Sequence, residues 1–373
     1  MSRKKCTPAH VPTFLHLQSR FFASTRKMCH RLGNLETSLL SDELGQVKIR
    51  EPVYVAGLAR SGTTILTEML EKHPELTSHH YSDFPNVWTP YWRNYLLQRT
   101  RRGKLTPAER AHGDRIHITN DSPEAVEEVL WRYFFPQSHV HAKPDILDDR
   151  TSNPEFESFY RDHVRKLLAV RGKPRYLAKG NYNVGRFLYI LKLFPDARLL
   201  IPYRNPVDHI ASLMKQHGFF LQAQAEDFRV ARQLALAGHF EFGPNRRAIN
   251  LGNDELHRAV NEAWAEGREV DGWARYWAET YRFLLDQART HRHFARASLF
   301  VCYEDLCGLS GQTIDHIIAH CRLEPRVFAA IHAYYCDHLR LPEYYKPNFT
   351  AEETAAIREI CEPVLSELHK LRS

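Results

Sequence analysis

The sequence lacks the patterns that mark several common classes of protein. Its seven cysteines, at positions 6, 29, 302, 307, 321, 336 and 361, include no C-x-x-C pair, so neither a zinc site nor a disulfide framework is indicated. Its 22 histidines form no H-E-x-x-H motif, the usual signature of a zinc protease. A G-x-S-x-G sequence, typical of serine esterases, is also missing. We therefore expect no metal and no esterase chemistry.

Long apolar runs are missing too. No stretch approaches the roughly 20 apolar residues of a membrane-spanning helix, and the basic N-terminus has no apolar signal-peptide core. Together with the unpaired cysteines, this predicts a cytoplasmic location. The chain is 43% hydrophobic and carries a net charge of +7, with a pI near 9.0. These values are typical of a globular protein whose partners are anionic.

Short apolar runs alternate with helical patterns along the chain. Strands are predicted at VYVAG (53–57), RYLAKG (175–180), ARLLIPYR (197–204) and SLFVCYEDL (298–306). Helices are predicted at TTILTEMLEKHP (63–74), RFLYILKLFP (186–195) and NPVDHIASLMKQ (205–216). This alternation indicates an α/β fold with a P-loop-like central parallel sheet flanked by helices.

We expect one domain over residues 1–373. Residues 1–50 are a predicted helical lead-in, and the mostly helical segments 84–172 and 217–295 are predicted insertions over the ligand edge of the sheet. Ligands of open α/β sheets bind outside the carboxyl ends of the strands. The glycine-rich loop that follows the first strand ends at that edge.

That loop, in AGLARSGTTIL (56–66), has the G-x-x-x-x-G spacing of a nucleotide-binding loop. Between a buried strand and a helix N-terminus, its backbone N–H groups converge on one point and favour an anion. Thr63 and Thr64 stand where an NTPase has Lys-Ser or Lys-Thr, and Arg60 adds a permanent charge inside the loop. Loss of the lysine argues against hydrolysis of a metal-bound NTP but not against an anionic ligand.

A second basic cluster follows the strand at 197–204. Arg204 ends this strand, and Ser212 lies eight residues further on, two turns into the next helix. Such a pair can hold a second phosphate. Together the two clusters indicate a nucleotide that is phosphorylated at both ends.

The two motifs, R-S-G-T-T after a strand and then LFPDARLLIPYRNPVDHIASLM, closely resemble those of the PAPS-dependent sulfotransferases, particularly the bacterial branch related to the tyrosylprotein sulfotransferases. The resemblance covers roughly residues 50–90 and 175–215, with a weaker echo at VCYEDL. It implies that the chain takes PAPS (3′-phosphoadenosine 5′-phosphosulfate) as co-substrate, releases PAP and needs no metal.

The resemblance also implies roles for individual residues. The 5′-phosphosulfate loop would comprise Arg60, Ser61, Gly62, Thr63 and Thr64. Arg204 and Ser212 match the pair that holds the 3′-phosphate, and Tyr303 falls where relatives place a nucleotide-contacting tyrosine. Lys179 matches a lysine that assists the sulfuryl group, although Gly180 and Asn181 follow it where the family often has Lys-x-Pro.

The acceptor hydroxyl requires a base, and relatives place a carboxylate or histidine about twenty residues beyond the loop arginine. Here that zone reads LTSHHYSDFPNVW. His80 and Asp83 are the leading candidates, with His79 behind them. A histidine suits proton removal near neutral pH, and Asp83 could orient it or act directly.

Three functional readings are possible from the sequence. The first is sulfuryl transfer from PAPS to a hydroxyl or amine of a small-molecule, lipid or carbohydrate acceptor. The second is a P-loop small-molecule kinase or another nucleotide-dependent transferase; Thr63 disfavours the kinase because a lysine belongs there. The third is a non-catalytic polyanion-binding protein, for which no nucleic-acid-binding motif is present.

An apolar or ring-bearing acceptor is favoured by aromatic residues in FFLQ (219–222), in GHFEFG (238–243) and at Trp88, Tyr91 and Trp92.

Overall fold

A parallel sheet forms the centre of the fold. The computed structural model describes residues 10–100, 108–109, 117–140, 143–341 and 347–371. Its strands are β1 (Val53–Val55), β2 (Leu76–Thr77), β3 (Ala108–Glu109), β4 (His117–Ile118), β5 (Arg175–Lys179), β6 (Arg198–Tyr203) and β7 (Ser298–Cys302). Five of them form the central sheet in the order β2-β5-β1-β6-β7, with every pair parallel. The fold class predicted from the sequence is confirmed.

Alternate residues of each central strand belong to different hydrophobic clusters. Tyr54 of β1 and Leu199 of β6 belong to one cluster. Their neighbours Val53, Val55 and Leu200 belong to the other. Since successive side chains of a strand point to opposite faces, both faces of the sheet are covered. This explains why the strands are continuous apolar runs rather than alternating ones.

Helices surround the sheet. They are α1 (Thr13–Ser24), α2 (Arg26–Leu39), α3 (Ser41–Gln46), α4 (Thr63–Glu71), α5 (Pro90–Thr100), α6 (Glu128–Phe134), α7 (Pro154–Arg171), α8 (Phe187–Leu193), α9 (Pro206–Glu226), α10 (Val230–Ala237), α11 (Asp254–Ala265), α12 (Glu269–Thr290), α13 (Arg292–Ala297), α14 (Tyr303–Gly308), α15 (Ser310–His320), α16 (Ala329–His338) and α17 (Ala351–Lys370). Short 3₁₀ helices occupy Tyr81–Asp83, Asn181–Gly185 and Arg326–Phe328. Within the described ranges, none of the helices has the length and apolar character needed to cross a membrane.

The start of α9 follows its sequence signals. The side chain of Asn205 accepts a hydrogen bond from the backbone N–H of Val207, and Pro206 occupies the first helical position. The helix then runs to Glu226, ten residues beyond the end of the predicted segment. This extension carries Phe220 of the predicted insertion 217–295 over the sheet edge.

The lead-in helices are joined to the body by a buried ion pair. Lys166 of α7 lies 3.0 Å from the carboxylate of Glu36 on α2, and both side chains have no exposed surface. Gly33 permits α2 to approach α7 closely, because a Cβ there would lie 2.9 Å from the ring of Phe159 on α7. The predicted helical lead-in is therefore packed against α7.

Two features differ from the sequence prediction. The edge strand β2 was not predicted, because its two residues are too short a run to show a period. The segment predicted as strand 298–306 changes into helix α14 at Tyr303. Residues 101–107, 110–116 and 141–142 of the predicted insertion 84–172 lie outside the described residues.

Candidate active site

The loop between β1 and α4 is tightly packed against neighbouring strand ends. A Cβ on Gly57 would lie 2.6 Å from the carbonyl oxygen of Pro202, so this position must be glycine. Gly62 has φ of 110°, and a Cβ there would lie 2.8 Å from the ring of Tyr303. Arg60 also has a left-handed backbone, with φ of 71°, which is uncommon for a residue other than glycine. The loop therefore has the tight curl that an anion-binding loop needs.

A buried histidine supports this loop from behind. His209 Nε2 lies 2.8 Å from the carbonyl oxygen of Ala59, and Nδ1 lies 3.1 Å from Nε1 of Trp277. An indole N–H only donates, so Nδ1 accepts and Nε2–H donates to the loop. Burial, with smaller contributions from the charges of Arg204 and Arg60, lowers the pKa of His209 to about 3. The ring is thus neutral. His209 lies within the segment NPVDHIAS, which the sequence analysis singled out, but the sequence predicted no role for this residue.

The two predicted phosphate-binding clusters are linked. Arg60 Nε donates to Ser212 Oγ at 3.3 Å, which joins the loop to α9. The guanidinium of Arg204 lies 5.1 Å from the centre of the Tyr303 ring, the same ring that contacts Gly62. Among the described residues, the buried Nε of Arg204 has no hydrogen-bond partner, and the carboxylate of Glu304 lies 3.9 Å away.

Lys179 ends β5 beside the same loop. Its ammonium group lies 3.3 Å from Thr64 Oγ1 and 3.2 Å from the carboxylate of Glu124. The residues predicted to bind the nucleotide thus follow the carboxyl ends of β1, β5, β6 and β7. Parallel strands place those ends at one edge of the sheet, which brings the predicted residues together.

A pocket of about 80 Å³ adjoins the loop. It is lined by Ala59, Arg60, Thr63, Thr64, Glu124, Ala125, Lys179, Asn181, Phe220, Leu234, His239, Glu241 and Phe242. Both predicted insertions contribute to its wall. Phe220, Leu234 and Phe242 make part of the wall apolar, whereas Glu124, His239 and Glu241 add charge. Sequence reasoning missed these three titratable residues because they lie in insertions without a motif.

The charged groups of the pocket determine one another's protonation. Burial raises the pKa of Glu124, but the charges of Lys179 and His239 and a hydrogen bond from Tyr81 outweigh it, so this pKa lies below its usual range. Burial lowers the pKa of His239, yet its contact with Glu241, 3.6 Å away, raises that pKa above the usual value. Burial raises the pKa of Glu241, but His239 and Asn181 bring it down to about 2. Both glutamates are ionised near neutral pH.

His79 and Asp83 lie in a buried network and do not line the pocket. His79 Nδ1 is 3.0 Å from Asp83 Oδ2, and its Nε2 is 2.8 Å from His163. Asp83 also accepts hydrogen bonds from Arg171, at 2.8 Å, and from Asn94, at 3.0 Å. The hydrogen-bonding capacity of the Asp83 carboxylate is used within the core, which argues against its predicted role as the base.

His80 is also separate from the loop pocket. It lines another cavity, of about 410 Å³, together with Glu71, Asp121 and Arg171. Its Nε2 lies 2.5 Å from Glu71 Oε1 at the end of α4. Its backbone forms an isolated bridge with Pro123, so the neighbouring residue Glu124, not the imidazole of His80, reaches the loop pocket.

Among the described residues, no group of three or more His, Cys, Asp or Glu side chains is arranged to hold a metal ion. The cluster of Glu124, His239 and Glu241 instead pairs with Lys179 and Asn181. The loop, the arginine at the end of β6 and the lysine at the end of β5 together define an α/β protein with a P-loop-like glycine loop and basic residues at the carboxyl edge of its sheet.

Comparison with known proteins identifies the family. A profile of the sulfotransferase family matches residues 52–246, which is more than half of the chain and includes the loop, Lys179, Arg204 and Ser212. The chain therefore belongs to the sulfotransferase family. A search of curated proteins gives no match.

Comparison with solved structures returns bacterial sulfotransferases. The structure of a sulfotransferase from Mycobacterium avium is 14% identical, with a TM-score of 0.51, over 89% of this chain and 81% of that chain. One from Mycobacterium tuberculosis is 16% identical, with a TM-score of 0.47, over 88% and 81%. A third, from Alicyclobacillus acidocaldarius, is 14% identical, with a TM-score of 0.43, over 87% and 96%. At these identities the first structure supports the shared fold alone.

Proposed function

We propose that this protein transfers the sulfuryl group of PAPS to a hydroxyl or amine of a small acceptor. The observation that carries the proposal is the linked arrangement of two phosphate-binding clusters beside one pocket. Arg60 contacts Ser212, Tyr303 contacts both Gly62 and Arg204, and Lys179 contacts Thr64. A nucleotide phosphorylated at both ends matches this arrangement, and an NTP with a single polyphosphate tail does not.

The residues fit PAPS in two respects. The loop curls tightly, with Arg60 and Gly62 in the left-handed region, and it leads into the N-terminus of α4, an arrangement whose backbone N–H groups bind phosphate and sulfate groups. The unsatisfied Nε of Arg204 can bind the 3′-phosphate, with the Tyr303 ring against its guanidinium. When bound, PAPS supplies an activated S–O bond whose leaving group is the 5′-phosphate of PAP.

The residues of the chain then have distinct tasks. Arg60 and the loop N–H groups stabilise negative charge on the leaving oxygen, and Lys179 stabilises charge on the sulfuryl oxygens. Sulfuryl transfer resembles phosphoryl transfer by in-line displacement, where positioning and electrostatics provide most of the catalysis. The acceptor therefore has to enter from the pocket side of Thr64 and Lys179.

We assign the role of general base to Glu124. Its carboxylate faces the pocket, is ionised, and lies beside the lysine that contacts the loop. Tyr81, which occupies the zone where relatives have their carboxylate, donates a hydrogen bond to Glu124. The proton of the acceptor hydroxyl passes to Glu124 while the new O–S bond forms and the bond between sulfur and the 5′-phosphate oxygen breaks, which releases PAP.

The pocket suggests the class of acceptor. Phe220, Leu234 and Phe242 favour an apolar portion next to the reacting hydroxyl or amine. Two ionised glutamates in the wall, Glu124 and Glu241, disfavour a polyanion such as nucleic acid at this position. We propose a small molecule, or the end of a lipid or carbohydrate, as acceptor.

A cytoplasmic location agrees with the cysteines, since none of the six described ones forms a disulfide.

Ligand binding and transfer test this proposal directly. Titration calorimetry with PAP should show binding that is tighter than binding of ATP with Mg²⁺. Labelled PAPS, incubated with a panel of phenols, alcohols and amines, should then yield a labelled sulfate ester or sulfamate. Preference for ATP with Mg²⁺ would favour the kinase reading, and salt-sensitive binding of an oligonucleotide alone would favour the polyanion-binding reading.

A further inference from the structure

The helices α1 and α2 present an exposed apolar stripe. It comprises Phe14, Leu17, Phe21, Met28, Leu32, Leu35 and Leu39, whose side chains are between 39% and 72% exposed. Their spacing of three, four or seven residues places them on one side of a helix. Apolar side chains scattered singly over a surface need no explanation, but a contiguous exposed row usually marks an interaction site.

The stripe has one part on each of the two helices. Only Thr25 separates α1 from α2, and its φ of −106° and ψ of 21° interrupt the helix there. The N–H of Thr25 donates to the carbonyl of Phe21 at 3.0 Å, which closes α1, and that of Cys29 donates to the carbonyl of Thr25 at 2.9 Å, which begins α2. With a rise of 1.5 Å per residue, α1 is roughly 18 Å long and α2 roughly 21 Å long.

The exposed charge of these helices has one sign. Arg20, Arg26, Lys27 and Arg31 are all exposed. The only acidic residue between Thr13 and Leu39 is Glu36, which is buried against Lys166. This surface therefore complements an anionic partner and repels a second copy of itself.

A cavity lined with arginines opens at the junction of the two helices. It has a volume of about 220 Å³ and is lined by Ser19, Phe22, Ala23, Arg26, Phe84, Pro85, Val129, Arg132, Arg232, Ala235 and Leu236. Arg26 and Arg232 are exposed, and Arg132 lies deeper, with its guanidinium 4.8 Å from the centre of the Phe240 ring. None of the described side chains that line the cavity is acidic.

The cavity and the stripe adjoin one another. The ring of Phe22, which lines the cavity, lies 5.5 Å from the ring of Phe21, which belongs to the stripe. Burial lowers the pKa of Arg132, and the charges of Arg26 and Arg247 lower it further, although the charge of Glu128 opposes them. A bound anion would relieve the repulsion among these guanidinium groups.

We propose that α1 and α2 form a docking surface for an anionic membrane. The apolar stripe enters the boundary between head groups and acyl chains, and the arginine cavity takes the phosphate of one lipid. This arrangement is that of an interfacial amphipathic helix, which lies in the plane of the membrane instead of crossing it. Basic residues beside such a helix strengthen binding to anionic lipids. The stripe favours a membrane over a soluble polyanion, because a soluble polyanion offers no apolar phase.

Vesicle binding of the full chain tests the proposal. We expect co-sedimentation with vesicles that contain phosphatidylglycerol and phosphatidylcholine, weaker binding as salt is added, and little binding to phosphatidylcholine alone. The double variant Phe14→Ser with Leu17→Ser should lower vesicle affinity by about tenfold or more, because it removes two apolar side chains that would enter the membrane. The double variant Arg26→Glu with Arg232→Glu should abolish the preference for phosphatidylglycerol.

Matched controls separate this site from general surface effects. Leu309→Ser with Val327→Ser removes exposed apolar side chains elsewhere, and Arg292→Glu with Arg296→Glu makes the same charge change on α13. Both controls should bind vesicles as the unaltered protein does, and all four variants should keep their affinity for PAP.

Three results would overturn the proposal. The first is equal binding to vesicles with and without phosphatidylglycerol, and the second is an equal loss of binding in the control variants. The third is a dimer in sedimentation velocity experiments that Phe14→Ser with Leu17→Ser dissociates, while no variant changes vesicle binding. The third result would assign the stripe to a second copy of the chain.

Discussion

The ammonium group of Lys179 lies between the carboxylate of Glu124, at 3.2 Å, and the hydroxyl of Thr64, at 3.3 Å. One side chain thus connects the acidic wall of the pocket with the loop that follows the first strand. Any group that enters between Thr64 and Glu124 meets the lysine first. The proposed chemistry depends on this relationship, because it puts an acceptor between a proton acceptor and a cation.

Glu124→Gln should lower kcat by roughly 10²-fold or more, since the variant keeps the shape of the side chain but cannot take up the acceptor proton. Affinity for PAP should change little. Single-turnover transfer from labelled PAPS measures the effect, with His80→Gln as the control outside the pocket. If His80→Gln were slow and Glu124→Gln were unaffected, the base would belong to the other cavity.

Arg204→Ala should weaken PAP binding by about 2 kcal/mol or more, because a phosphate loses a charged hydrogen-bond partner. The KM for PAPS should rise more than kcat falls. Calorimetric titration with PAP measures the change. Arg268→Ala, which removes an exposed arginine paired with Glu266 and Asp271, is the matched control and should bind PAP normally. Equal affinities in the two variants would remove Arg204 from the nucleotide site.

His209→Gln should change how stability depends on pH. The pKa of His209 is about 3 in the folded protein, below its ordinary value near 6.5, because burial disfavours the charged ring. In the unfolded chain, His209 takes up a proton as the pH falls below about 6.5. In the folded protein, His209 does so only near pH 3. The free energy of unfolding therefore decreases across that window, and the variant should lack this part of the decrease.

Urea unfolding at a series of pH values measures this difference. PAP affinity provides a second readout, since His209 supports the loop only through the carbonyl of Ala59. The variant should bind PAP more weakly, because the loop loses this support. Identical pH curves for both proteins would mean that the ring is not neutral and buried in solution.

Asp83→Asn should lower the free energy of unfolding by about 3–5 kcal/mol, because Arg171 and His79 would keep buried positions without their charged partner. Burial raises the pKa of Asp83, but His79 and Arg171 outweigh it and hold this pKa below its usual range. The stabilisation is therefore present above about pH 4 and lost below it. Transfer by folded Asp83→Asn should remain near normal, and a large loss of kcat at unchanged stability would restore Asp83 as a catalytic candidate.

The parts of the fold with a strong local signal were predictable from the sequence. Val53–Val55 and Arg198–Tyr203 are apolar runs bounded by turn residues, and Asn205-Pro206 has an unambiguous helix-start chemistry. These elements also carry the loop and Arg204, so the proposed nucleotide side of the site followed from them. The edge strand Leu76–Thr77 has no period to detect.

The proposed acceptor side could not be predicted in the same way. Glu124, His239 and Glu241 lie 64 to 181 residues from Arg60 in the chain, and no motif surrounds them. They meet because two helical insertions fold back over the sheet edge, a tertiary event without a local sequence signal. His80 and Asp83 stood at the right distance from the loop arginine, but the chain there turns Asp83 into the core and His80 towards Glu71.

The buried pair of Lys166 and Glu36 has a consequence for how the protein can be divided. A chain shortened to the segment that the family profile matches, residues 52–246, would keep neither Glu36 nor α12 and α17. Trp277 of α12, which orients the histidine behind the loop, would be lost as well. The segment that resembles the family is therefore shorter than the segment that has to fold as a unit. A truncation or a fusion placed at the edge of the matched segment would separate the loop from the helices that support it.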